Sequence, residues 1–108
     1  MNHTVMQIYR FRPNPGVQES DLLRQSAAVD RLLLGAEGFL YRTLARVDAQ
    51  QWQDVVYWKD NEAHAAVEPL MADEAFEAWM DMLDLDTVVA TKATVVSHIC
   101  PSKQPLRA

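Results

Sequence analysis

One stretch, Gly38 to His64, limits most strongly what this chain can become. It reads GFLYRTLARVD, a short break, QWQDVVYWK, then DNEAH. That is a glycine, two strand-like runs forming a hairpin, a tryptophan closing the second run, and a helix start. Both faces of the hairpin carry large apolar groups, so both need cover. A short chain can cover one face with its own helices. The other face implies a partner chain, a ligand, or both.

The rest of the chain supplies the missing pieces. TVMQIYRF, residues 4–11, reads as a first strand, and Pro13 and Pro15 end it. A helix is expected from about Val17 to Leu34. Its stripe is Leu22, Ser26, Val29 and Leu33, its early turns carry Glu19 and Asp21, and Gly35 stops it. Strands follow at about Phe39–Val47 and Trp52–Lys59. Asp60 or Asn61 caps a helix that Pro69 interrupts. A second helical piece, about Asp73–Leu83, spaces Phe76, Trp79, Met80 and Leu83 as a core stripe. A last strand is expected at about Thr91–Ile99. Strand, helix, strand, strand, helix, strand is the split β-α-β pattern of an α+β, ferredoxin-like sandwich. It has a four-stranded antiparallel sheet with helices on one face. A single domain is expected over residues 1–100, with 101–108 as a tail.

With 108 residues, 49% hydrophobic and 23% charged, the chain can bury its own core. A net charge of −5 without basic clusters argues against nucleic acid and anionic membrane surfaces as partners. No apolar run approaches a membrane span, and no signal-like apolar segment precedes the first strand. Cys100 is the only cysteine, so no intrachain disulfide forms; the cytoplasm is the expected compartment, and a plain small residue its expected role.

Alternation divides each strand into two sets. A hairpin loop of Ala49-Gln50-Gln51 sets Arg46 opposite Asp54, Leu44 opposite Val56, and Arg42 opposite Trp58. If charge marks the outer face, Tyr41, Thr43, Ala45, Val55 and Tyr57 lie under the helices. Met6, Ile8, Ala93, Val95 and Ile99 join them. The open face then carries Leu40, Leu44, Val56, Trp58 and Val96 around Gln7, Tyr9, Arg42 and His98. Apolar walls with a few polar groups are the usual composition of a small-molecule site. On this reading Tyr9 and His98 move protons and Arg42 stabilises an anion, with Gln7, Leu40, Leu44, Val56, Trp58 and Val96 binding substrate. Each has a plainer alternative: Trp58 as core, His98 as an interface residue, Arg42 as an ion pair with Asp54 or a partner chain. His64, with Glu68 one turn on, lacks further ligands for a metal and is read as a solvated helix residue.

FRPNPG after the first strand, GFLYRTLARVD, VVYWKDNEAHAA, and the Phe76-x-x-Trp79…Leu83-Asp84 helix end together resemble the dimeric α+β barrel superfamily. The chain is most similar to its antibiotic-biosynthesis-monooxygenase-like group. The resemblance implies a homodimer joined sheet to sheet, with one cavity per chain on the open sheet face. It implies a cofactor-independent monooxygenase-type activity on a small aromatic or quinol-type molecule, with Trp58 lining the cavity. A non-catalytic binding or stress-associated domain is the alternative. The haem-degrading branch has a ligand histidine farther beyond that tryptophan and an asparagine in the first strand. This chain has His64 and Gln7, so no haem or other cofactor is expected.

Overall fold

The computed structural model describes residues 3–99. Cys100 and the expected tail at 101–108 lie outside them. Four strands, β1 (Val5–Pro13), β2 (Phe39–Arg46), β3 (Trp52–Trp58) and β4 (Leu83–Thr94), form one antiparallel sheet in the order β2-β3-β1-β4. Helices α1 (Glu19–Leu34), α2 (Asn61–Ala65) and α3 (Glu74–Asp81) accompany it, with a 3-10 turn at Glu68–Ala72 between the last two. The ferredoxin-like α+β sandwich expected from the element order is the fold observed.

Local chemistry accounts for the boundaries. Gln18 and Asp21 form a reciprocal capping box at the start of α1. Asp60 caps α2 through the Ala63 amide at 2.8 Å, and Asp73 caps α3 through the Ala75 amide at 2.8 Å. Gly38 has φ +82°, and a side chain there would overlap the Cβ of Ala63. Glycine at 38 thus permits both the backbone turn and the close seating of α2 on the start of β2.

The α1 stripe is as its spacing predicts: Leu22, Ser26, Val29 and Leu33 are its buried residues. Leu22, Val29 and Leu33 join one core cluster with Val5, Phe11, Trp52, Val56 and Trp58 from the sheet and with Trp79 and Leu83. Phe11 meets Trp79 edge to face at 5.7 Å, and Phe39 meets Trp58 likewise at 5.8 Å.

Three expectations need correction. The first is β4, which spans Leu83–Thr94 rather than 91–99 and begins as soon as α3 ends. Its start, LDLDTVV, is masked in the sequence by Asp84 and Asp86, and Leu83 is the one buried residue of the run. The second is the hairpin register. Arg46 faces Trp52, Leu44 faces Asp54, and Arg42 faces Val56, two residues from the expected pairing. The connection is residues 47–51. The Asp48 carboxylate accepts from the amides of Gln50 and Gln51, each at 2.8 Å, and these bonds hold its carboxyl below the usual aspartate range.

The third concerns the faces of the sheet. The set containing Arg42, Leu44, Asp54, Val56 and Trp58 lies under the helices, as do Gln7 and Tyr9. Tyr41, Tyr57, Met6, Val95 and Ile99, expected beneath the helices, line the open side with Leu40. The physical reason is area. This set brings Trp52, Val56 and Trp58 to the core, and its two charges neutralise each other. The register shift is even, so from Tyr41 onward the two sets stay together and only their direction reverses, while a bulge between Phe39 and Tyr41 sends Phe39 to the core side and Leu40 to the open face.

Candidate functional site

The inward face of the sheet does not fill completely against the helices. A cavity of about 90 Å³ remains, walled by Trp58, Phe76, Trp79, Met71, Met80 and Val67 among others. Its polar groups are Gln7, Tyr9, Arg42, Asp54 and His64. The sheet supplies the first four, on adjacent strands β1, β3 and β2. His64 arrives from α2, which starts at the Asp60 cap and which Gly38 allows to seat against the hairpin.

Of the residues singled out in the sequence, Gln7, Tyr9, Arg42, Val56 and Trp58 come together here, on the helix side. Leu44 is also on that side but packs on the core outside the cavity lining. Leu40, Val96 and His98 line a separate groove of about 670 Å³ on the open sheet face, with the stacked rings of Tyr41 and Tyr57 4.5 Å apart. His98 therefore does not share a site with Tyr9 and Arg42. The sheet lies between them.

Arg42 is committed to structure. Its side chain is 3% exposed. Nε and Nη2 donate to the two carboxylate oxygens of Asp54, both at 2.9 Å. Nη1 donates to Ser26 Oγ at 2.8 Å, the Ser26 carbonyl at 3.2 Å and Asp30 at 2.9 Å. The guanidinium carbon stands 5.2 Å from the centre of the Trp79 ring. This two-pronged pairing is geometrically the strongest form of ion pair and leaves Asp54 satisfied in the interior. Ser26, the one polar residue of the α1 stripe, is explained by it.

Tyr9 lies directly across from Asp54 on the neighbouring strand. Burial, then the nearby Asp54 charge, push its phenol pKa above the ordinary value. Its hydroxyl is thus a neutral donor, not a base, near pH 7. It makes no hydrogen bond to a described residue.

His64 is the residue that sequence reasoning passed over. Its Nε2 is 2.7 Å from Gln7 Oε1, while Gln7 Nε2 donates to the Thr91 carbonyl at 3.1 Å. The Thr91 carbonyl can only accept, so the Gln7 amide must present its oxygen to His64. Nε2 must then carry the proton, which leaves Nδ1 as the basic nitrogen of the neutral ring. Burial, and secondarily the charge of Lys92, hold the imidazole pKa below the usual histidine range, so the ring is neutral near pH 7. Gln7 and His64 are 57 positions apart, and no local pattern could have linked them.

Solved structures share this architecture. A cofactor-independent oxygenase from Streptomyces nogalater, SnoaB, superposes with a TM-score of 0.63 at 14% identity, covering 94% of this chain and 99% of that one. The chain has the fold of the antibiotic-biosynthesis-monooxygenase-like proteins. A candidate antibiotic biosynthesis monooxygenase from Bordetella bronchiseptica gives a TM-score of 0.67 at 20% identity, covering 88% and 99%. A Nitrosomonas europaea protein of unknown function gives 0.70 at 16% identity, covering 93% and 96%. No protein-family model and no curated protein sequence matches the chain. Among the described residues no helix is long and apolar enough to cross a membrane.

Proposed function

We propose that this protein is a cofactor-independent oxygenase acting on a small phenolic or quinol-type molecule held between the sheet and the helices. The supporting observation is the cavity itself: Trp58, Phe76 and Trp79 wall it, and Gln7, Tyr9 and His64 are the polar groups with capacity for a ligand. His64 accepts the phenolic proton at Nδ1, and the imidazolium stays hydrogen-bonded to Gln7 through Nε2. Tyr9 donates to the phenolate oxygen. Oxygen adds at an electron-rich ring carbon to give a hydroperoxide, which loses water and leaves a new carbonyl. All four electrons that reduce the oxygen molecule come from the substrate, and one oxygen atom enters product while the other leaves as water. Arg42 acts at a distance, by fixing Asp54 and Trp79. The fold likeness to SnoaB, described as a cofactor-independent oxygenase, favours the same class of chemistry.

The working unit in this proposal is a homodimer. Leu40 is 49% exposed and Val96 83% exposed beside the stacked tyrosines, an apolar face that a second copy would cover.

A non-catalytic small-molecule-binding domain is the second reading. It is favoured by Arg42, the one cationic side chain on the cavity wall among the described residues that carries a fixed charge, being already neutralised by Asp54. Oxygen uptake with a panel of phenols and quinols separates the two. On the oxygenase reading, His64→Gln and Tyr9→Phe each lower kcat on a turned-over substrate. Unchanged turnover in both variants would refute the assigned roles, and no uptake with any bound phenol would leave the binding-domain reading.

A further inference from the structure

We propose that the cavity selects an uncharged, single-ring phenol or quinol and rejects the same ring bearing a carboxylate. This rests on the reading of the cavity as the functional site, and it adds the substrate class.

Charge is the first argument. The cation on the wall, Arg42, faces two carboxylates, Asp54 at 2.9 Å and Asp30 at 2.9 Å. The local balance is therefore neutral to negative. Tyr9 senses that field, because Asp54 disfavours an anion at its hydroxyl. Lys92 stands near His64 but is exposed on β4 and is not part of the wall, so water screens it. An incoming carboxylate would lose its hydration and find no cation to replace it. Proton transfer from a neutral phenol to His64 leaves the cavity's net charge unchanged, so the same walls accept the proposed chemistry.

Size is the second. The cavity measures about 90 Å³. An apolar cavity of about 150 Å³ takes up benzene. A single ring therefore fits only with a small outward movement of the wall, and a fused pair of rings demands much more. The yielding part of the wall is the segment from α2 to the 3-10 turn. It supplies His64, Val67 and Met71, and neither of its two elements contains a buried residue.

Binding can be measured by quenching of tryptophan fluorescence, because Trp58 and Trp79 both line the cavity. The probes are p-cresol, 4-hydroxybenzoate and 1-naphthol at about pH 7.5, where the carboxylate is ionised. The expected result is p-cresol binding at least about ten-fold tighter than 4-hydroxybenzoate, with 1-naphthol gaining nothing from its extra ring. Met71, 42% exposed at the rim, provides the control. Met71→Lys places a free cation there and should shrink the ratio of p-cresol to 4-hydroxybenzoate affinity at least about three-fold, the ratio being the readout because Met71 belongs to the wall that both ligands touch. Equal or tighter binding of 4-hydroxybenzoate by the unaltered protein overturns the charge argument, as does no response to Met71→Lys. Markedly tighter binding of 1-naphthol overturns the size limit. Selective p-cresol binding without oxygen uptake by any bound phenol supports the selectivity and defeats the oxygenase reading instead. Absence of binding by all three probes defeats both.

Discussion

Replacing Arg42 with methionine isolates the energetics of the buried pair. The substitution keeps most of the aliphatic stem, and it removes the guanidinium over Trp79 and five hydrogen bonds, two to Asp54, two to Ser26 and one to Asp30. Asp30 is half exposed and turns to water, and the Ser26 hydroxyl can bond a carbonyl of the preceding turn. Asp54 has no such recourse, since its side chain is 7% exposed. The dominant cost is that stranded carboxylate, about 3–5 kcal/mol when one partner of a buried pair is removed. Domains of this size hold about 5–15 kcal/mol in all, so Arg42→Met should fold only marginally. With a urea slope of about 1–3 kcal/mol/M, the midpoint should fall by roughly 1–5 M at unchanged slope. The double variant Arg42→Met/Asp54→Leu removes both charges and should recover to within about 1–2 kcal/mol of the parent, because an apolar replacement of a buried pair is often close to neutral. Urea unfolding followed by tryptophan fluorescence and far-UV circular dichroism measures all three proteins. A loss below about 1 kcal/mol for the single variant, or a double variant no better than the single, would refute the claim that Asp54 depends on Arg42.

Other expectations follow from the same geometry. Gly38→Ala combines a disfavoured positive φ with overlap on Ala63, and should cost about 1–3 kcal/mol while loosening α2, read as faster amide exchange at residues 61–65. His64 is held neutral in the folded state, so its contribution to stability is fully present above the unfolded pKa of about 6.5 and is lost as pH falls through that range toward the lower folded value. A proton NMR titration should show one imidazole charging later than free histidine on acidification, with the signal missing in His64→Gln. Tyr9 has the opposite sense: its raised pKa means stability lost only as pH climbs past about 10, and Tyr9→Phe should delete the corresponding tyrosinate absorbance step. On the open face, Leu40→Glu should shift sedimentation toward a single subunit without lowering the thermal midpoint of that subunit, and an unaltered protein sedimenting as a monomer at high concentration would remove the dimer proposal.

Periodicity made the architecture readable. The α1 stripe emerged residue for residue, because a helix that packs on a sheet must repeat near 3.6 and Leu22, Ser26, Val29 and Leu33 do so. From Tyr41 onward the inward set was also readable as a set, while the bulge that exchanges Phe39 and Leu40 left no mark in the alternation. The direction of the set was not readable, because charge was taken to mark the outside. Arg42 and Asp54 defeat that rule: each cancels the other, and the tryptophans beside them carry more area into the core than the tyrosines opposite. The start of β4 was obscured by Asp84 and Asp86, whose acidity resembles a loop although alternation places Leu83 in the core. His64 was unreadable for another reason. A histidine gains meaning from what it touches, and Gln7 reaches it only once β1 and α2 are brought together.

The run from α2 to α3 is tied down at its start, by Ala63 against Gly38 and His64 on Gln7, and at its end, by Trp79 in the core, while the 3-10 turn between contains no buried residue. It resembles a bucket handle. Pins at the hinges keep it from drifting away, while its middle can swing over the mouth beneath. Traffic through such an aperture follows the handle's own rhythm more than the abundance of what waits outside, so guest uptake would reach a plateau rate instead of climbing without limit.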